Sequence, residues 1–335
     1  MYKKIVMTKT PLRISFLGGG TDISNFYIKN QGLVVSCTID KFVYVTVKEH
    51  GPLFLKNYRL NYSKSENKNK LNLIQNDIIR ETLKKIRIYK PLYISSISDI
   101  PANSGLGSSS AFTVGLIKAL YEFKKKKISN LNVAKLACEI EISRVKSPIG
   151  KQDQYATAIG GFNALSFNKD SSVIIKKFNK KKIIKKIFDN SVFIWVGRTR
   201  KTNDILKHQN SKLKINLNDL ISIKNLAKLL IARINNNDFS INDLGNLMNE
   251  NWKLKKNLSK KISSNKIQKI YDSAIKNGSL GGKLLGAGGG GFLFLVVKKE
   301  NIEKFKRNMK NIHKNLRIIQ YNFFEKGSQT ILSIS

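Results

Sequence analysis

Apolar and polar positions alternate near the start of the chain. Leu12, Ile14 and Phe16 are interleaved with Arg13 and Ser15, and this period of two predicts a strand over residues 3–17. The run GGGTD at 18–22 ends it. Residues 33–47, LVVSCTIDKFVYVTV, are rich in β-branched and aromatic side chains and read as one or two further strands; residues 92–98, LYISSIS, read as another. Residues 110–124 have the length and apolar content of a buried helix. Over 131–146 the residues Val133, Ala137 and Ile140 fall on one helical face, and Pro148 and Gly150 stop that helix.

The pattern changes in the second half. Residues 215–278 are strongly helical in character. Ser240 with Asp243 forms a capping signature, and Gly278 stands where a helix ends. A glycine-rich run, GGKLLGAGGGGFLFLVV, leads into a strand. A helix with Ile302, Phe305, Met309 and Ile312 at helical spacing follows, then two last strands. The lysine-rich, weakly apolar stretch 169–187 suggests a domain junction, dividing the chain into 1–185 and 186–335. No repeat of fixed period is present.

Composition supports two domains. The chain has 335 residues, 41% of them hydrophobic, enough for a sizeable core. No apolar stretch approaches the ~18 residues of a membrane span, and the first residues lack the apolar region of a secretory signal. Cys37 and Cys138 sit in apolar surroundings with no second Cys or His nearby, which excludes a zinc signature or disulfide framework and points to a reducing, cytoplasmic setting.

Charge adds less than its size suggests. Lys and Arg number 61 against 22 acids, a net of +39. Such an excess attracts polyanions, so a nucleic-acid-binding protein is one reading. The lysines, however, are spread along nearly the whole chain, aromatics are not interleaved with a basic surface, and lysine, asparagine and isoleucine are abundant together. A composition bias with a general attraction for anionic substrates fits better, and no specific nucleic acid is expected. The runs at 124–127 and 180–182 read as solvated faces or loop edges.

The most informative stretch is Pro101–Ala111, PANSGLGSSSA, between a strand and a helix. Glycines permit close backbone approach, a helix N-terminus presents free N–H groups, and serines add hydroxyls suited to phosphate or a hard cation. It is neither a Walker loop nor a dinucleotide fingerprint; a flexible turn with a serine cap is the plainer alternative.

PANSGLGSSSAFTVG resembles the second motif of the GHMP kinases. TPLRISFLGGGTD and KLLGAGGGGFLFLV are similar to their first and third motifs, in the same order, and IGKQDQYATAIGGFNAL resembles the segment carrying their catalytic aspartate. The resemblance runs from about Thr8 to Val297. GGGTD, TIDKFVYVTV and GKQDQYA together look most like the D-glycero-D-manno-heptose 7-phosphate kinases, with fucose-phosphorylating relatives sharing part of the pattern.

The resemblance implies an α+β, two-domain fold: a ribosomal S5 domain 2-like N-terminal domain and a ferredoxin-like C-terminal domain. It implies ATP and Mg²⁺ as cofactors and an anomeric hydroxyl as acceptor, in a route to activated heptose for surface polysaccharide. Small-molecule sugar phosphate and ATP are then the partners; the oligomeric state stays open, a homodimer included. Pro101, Asn103, Ser104, Gly105, Leu106, Gly107, Ser108, Ser109 and Ser110 would hold ATP. Ser109 and Glu141 would hold the metal, with neighbouring Glu139 pointing away. Asp153 would be the catalytic base or a transition-state stabiliser, flanked by Arg13 and Lys151. Gly18, Gly19, Gly20, Thr21 and Asp22 would meet the sugar, although Asp22 reads equally as a cap for a helix beginning at Ile23. Gly288 and Gly289 would support substrate or phosphate loop, or form a purely structural turn. Arg200 would bind the sugar's own phosphate; Arg198 and Lys201 beside it depart from the family pattern. Trp252, Lys255 and Lys256 lie in a segment similar to the heptose kinases, or are a packed indole with helix-surface charge.

Overall fold

The computed structural model describes residues 4–51, 53–197, 202–211 and 215–334. Two sheets, a mixed one and an antiparallel one, carry the architecture. In the first, β1 (Ile5–Leu17) pairs along most of its length with β2 (Gly32–Glu49), a single 18-residue strand with bulged register. Next to β2 come β5 (Leu92–Ser98), then β3 (Tyr58–Asn61) and β4 (Ser65–Lys68), with β3 and β5 parallel. The other half of β2 pairs with β6 (Phe162–Phe167), which pairs with β7 (Val173–Lys177).

Over this sheet lie α2 (Asp77–Ile86), α3 (Ser108–Phe123), α4 (Asn130–Cys138) and α5 (Gln152–Ile159), with short α1 (Ser24–Asn30) after the first glycine loop. Helix α3 packs on β1 and β2, as its continuous apolar content requires. The expected helix over 131–146 is one helix in two geometries: α4 widens into a π turn over Glu139–Arg144.

The second sheet has the order β11 (Arg317–Ile319), β8 (Ser191–Trp195), β10 (Phe292–Val297), β9 (Ser279–Leu284), all antiparallel. With helices between β8 and β9 and between β10 and β11, this is the ferredoxin-like arrangement. The helical half of the chain resolves into α7 (Thr202–Ser211), α8 (Leu217–Asn235), α9 (Ile241–Asn257) and α10 (Asn265–Lys276), with α11 (Ile302–Ile312) after β10. Ser240 Oγ accepts from the Asp243 N–H at 3.0 Å and starts α9. Helix α9 packs on both β9 and β1, so it bridges the two sheets, and one hydrophobic core runs from Val6 through Met248 to Phe294.

The stretch 169–187, read as a junction, holds β7, an exposed edge strand of the first sheet, and most of α6 (Lys181–Asp189), whose Ile184 and Ile187 are buried; β8 of the second sheet follows. The chain also returns to the first sheet after the second. Strand β12 (Gln329–Ile334) returns to pair with β1, because β1 has β2 on one side only and leaves a ladder of backbone groups to satisfy on the other.

Candidate active site

The three glycine-rich loops meet. Gly105 has a φ of +83°, and a Cβ there would lie 2.5 Å from Leu285 O; across the contact, a Cβ on Gly286 would lie 2.5 Å from Gly105 Cα. Only glycine allows the phosphate-type loop and the third glycine cluster to touch at this separation. Around the junction opens a cavity of about 630 Å³, lined by residues of both domains.

One wall is the N-terminus of α3. Gly107 precedes it with φ +78°, and no side chain caps it. Gly105, Gly107, Ser108, Ser109 and Ser110 line the cavity there, with Asn103 at its edge. The first N–H groups of a helix lack internal partners and carry the positive end of its dipole, so this wall suits phosphate oxygens.

Beside it, Glu141 is 1% exposed and projects from the π turn. Ser110 Oγ donates to it at 2.8 Å, Gln154 Nε2 at 2.6 Å and Ser109 Oγ at 3.2 Å. Burial pushes its carboxyl up to about 6, against the pull of those hydrogen bonds. Among the described residues no group of three or more His, Cys, Asp or Glu could cage a metal. One carboxylate with an adjacent hydroxyl, opening on a phosphate cradle, is the donor set of a Mg²⁺ held chiefly by phosphate and water. Ser109 and Glu141 fit that ion.

Opposite stands Asp153, in the first turn of α5. Arg13 Nε donates to its Oδ1 at 2.7 Å and Nη2 to its Oδ2 at 2.6 Å, while Nη1 donates to Gly105 O at 2.7 Å. The Arg13 side chain is 3% exposed and that of Asp153 24%, so the cation is walled in and the carboxylate faces the cavity.

Asp22 holds this arrangement from behind. Its Oδ2 accepts from the Gln152 N–H at 3.1 Å; its Oδ1 accepts from Gly20 N at 3.1 Å and Gln152 Nε2 at 3.3 Å. Asp22 thus caps α5, 130 residues away, while Ile23, before α1, makes no side-chain cap. Burial raises its carboxyl above the ordinary range. Gly150 is required beside it, since a Cβ there would sit 1.9 Å from Asp22 Oδ2. Its own backbone N–H adds to these contacts, so this buried carboxylate is well supplied with donors.

Several expected residues lie elsewhere. The Lys151 ammonium donates to Ser171 O at 2.9 Å and lies over the Tyr27 ring, away from Asp153. Positions i and i+2 at a helix start face different directions. Leu106 and Ser104 are fully buried beneath the loop, Ser104 O accepting from Phe292 N, and Pro101 is exposed outside the cavity. Gly18 and Thr21 shape the first loop: Thr21 Oγ1 donates to Gly18 O at 2.8 Å and accepts from Leu33 N. Gly19, Gly20 and Gly288 line the cavity, whereas Gly289 donates its N–H to Ile262 O. Arg198, Arg200 and Lys201 lie outside the described residues.

Two more lysines belong to the site, Lys255, which the sequence left open between a family segment and surface charge, and Lys283, which sequence reasoning missed; they line the cavity at 7% and 2% exposure. Lys255 Nζ donates to Leu284 O and Gly286 O, and Lys283 Nζ to Phe16 O at 3.0 Å. Lys255 was legible in principle: Leu244, Met248 and Trp252 mark the buried face of α9, and Lys255 is its next position, so it is not surface charge. Lys283, a charge inside an otherwise buried strand, was the clearer signal.

Known proteins agree with this geometry. The GHMP kinases N terminal domain matches residues 72–161 and the GHMP kinases C terminal matches 225–315. The D-glycero-alpha-D-manno-heptose 7-phosphate kinase of Campylobacter jejuni is 35% identical over 91% of this chain and 94% of its own. A galactokinase of Thermotoga neapolitana is 23% identical over 95% of this chain and 96% of its own. The solved structure of a D-glycero-D-manno-heptose 1-phosphate kinase from Bacteroides thetaiotaomicron superposes with a TM-score of 0.79 at 24% identity, covering 98% of this chain and all of the other. Three loops in family order, a helix N-terminus facing a buried-arginine-held aspartate, and a full-length relative leave one conclusion: this chain belongs to the GHMP kinase family.

Proposed function

We propose that the protein transfers the γ-phosphoryl group of ATP to the anomeric hydroxyl of a phosphorylated sugar, D-glycero-D-manno-heptose 7-phosphate being the acceptor that the Campylobacter relative favours. The observation that carries this reading is the Arg13–Asp153 pair standing across one cavity from the serine-lined N-terminus of α3.

The N–H groups of Ser108–Ser110 hold phosphate oxygens. Ser109 and Glu141 would hold Mg²⁺, which when bound would supply positive charge against the phosphates. Asp153, oriented by the Arg13 fork and by the Asp22 cap on α5, accepts the proton of the attacking hydroxyl. Asp22, which lines the cavity with Gly19 and Gly20, meets a neighbouring sugar hydroxyl. Arg200 is the fork-shaped cation that the sequence offers for the sugar's own phosphate. ATP supply places the reaction in the cytoplasm; among the described residues no helix is long and apolar enough to cross a membrane.

ADP release from the purified protein with ATP, Mg²⁺ and a panel of sugars tests this. Turnover with heptose 7-phosphate and none with fucose or galactose is expected. Turnover with fucose alone would replace the acceptor by an unphosphorylated sugar, and silence with every sugar would end the kinase reading.

A further inference from the structure

Three buried cations, Arg13, Lys255 and Lys283, line the cavity beside the exposed Lys64, and of the three only Arg13 has a carboxylate. Arg13 is committed to Asp153 and Gly105 O. Among the described residues no carboxylate lies within ion-pair distance of Lys255 or Lys283; both bond only to backbone carbonyls. An ammonium has three donors, so one is left on Lys255 and two on Lys283. Burying unpaired charge is costly, and interiors avoid it unless a partner arrives.

Their position says which partner. Lys255 sits at Gly286, the residue pressed against Gly105. Lys283 sits at Phe16 O, about 4.0 Å from where a Gly19 Cβ would be, and Ser15 Oγ, buried and without a hydrogen-bond partner, lies beside the same point. The two lysines therefore span from the phosphate loop to the acceptor loop, alongside the Arg13–Asp153 pair. That is the path between a nucleotide held by α3 and a hydroxyl at Asp153.

We propose that Lys255 and Lys283 contact the phosphoryl group in transit between nucleotide and acceptor, and that the pair takes up a proton when the triphosphate binds. This rests on the kinase reading above. Burial, with Arg13 nearby, brings Lys255 down to about 7; burial, with Lys255 and Arg13, holds Lys283 well below its ordinary range. The other charged groups lining this space are Asp22, Asp153, Glu141, Asp77 and Lys64. An arriving γ-phosphate supplies the missing anion and restores the full charge of the ammonium groups. The lysines then offset charge on the equatorial oxygens, the part of the transition state that a positioned cation stabilises best.

Calorimetric titration of MgATP without acceptor, at pH 8 in two buffers of different ionisation enthalpy, reads the proton directly. At that pH Glu141 is already ionised and does not contribute. Uptake of roughly one proton per site is expected with MgATP and none with MgADP. Lys255→Met and Lys283→Met abolish the uptake and lower kcat about 100-fold; Lys283→Arg, which keeps a cation, recovers part of it. A binding heat that does not depend on buffer, equal uptake with MgADP, or wild-type kcat in both Met variants would overturn the proposal. Should the variants not fold, the wild-type buffer comparison decides alone. Proton uptake with MgATP but no turnover on any sugar would refute the acceptor and leave the lysine pair standing.

Discussion

Arg13 and Asp153, 140 residues apart, are joined by a two-pronged ion pair whose third donor is fixed to Gly105 O. One buried guanidinium thereby sets the distance between the phosphate loop and the carboxylate opposite. The backbone adds a second tie, since Arg13 N donates to Leu106 O at 3.0 Å. Strand β1 thus serves as the ruler of the site, and a planar fork is the side chain that can hold both ends at once.

Asp153→Asn keeps the shape of the side chain and removes its charge. Turnover should fall about 1,000-fold, the scale of losing a positioned base. MgATP affinity, set on the opposite wall, should change by less than about threefold; steady-state kinetics and nucleotide titration measure the two separately. Wild-type turnover would remove Asp153 from the chemistry.

Glu141 makes stability depend on pH in a direction opposite to most acids. Its carboxyl is raised from 4.5 to about 6 by burial, so between those values the folded protein binds more protons than the unfolded chain. Its contribution favours the fold at low pH and is lost as pH rises through 6, an effect of about 2 kcal/mol. In metal-free protein, Glu141→Gln should gain stability relative to wild type by about that amount between pH 4.5 and 7. Urea midpoints at both pH values read the difference, and any constant cost from placing an amide against Gln154 cancels. A difference that does not change with pH would contradict the burial argument.

Gly105→Ala tests the contact between loops. The added methyl would meet Leu285 O at 2.5 Å from a backbone that side chains rarely adopt. A loss of about 2–4 kcal/mol and a collapse of turnover are expected. Chemical unfolding with an unchanged midpoint would mean that the two glycine clusters do not touch.

Much of this was legible because single periods dominate single segments. Leu12, Ile14 and Phe16 alternate cleanly, and all three are buried in β1. The α3 wall was legible from glycines and serines crowded at a strand-to-helix junction. What escaped reading depends on contacts between distant segments. Asp22 looked like the cap of its own helix, but its carboxylate reaches Gln152, and no local pattern encodes that. Lys151 looked like a partner of Asp153 because it is near in sequence, and helix geometry turns it outward. Lys255 was left between a family segment and helix-surface charge, and Lys283 went unnamed among the lysines of a strongly basic chain, because the carbonyls that receive them lie on other segments.

The pairing of β12 with β1 has a consequence for biosynthesis. A ribosome must deliver residues 329–334 before β1 acquires its second neighbour. Until then the strand that carries Arg13 shows an open flank to any extended polypeptide nearby, the situation in which nascent chains go astray. The strand that carries the reaction centre is thus shielded at Ile5–Lys9 by a segment that is not among the residues lining the cavity.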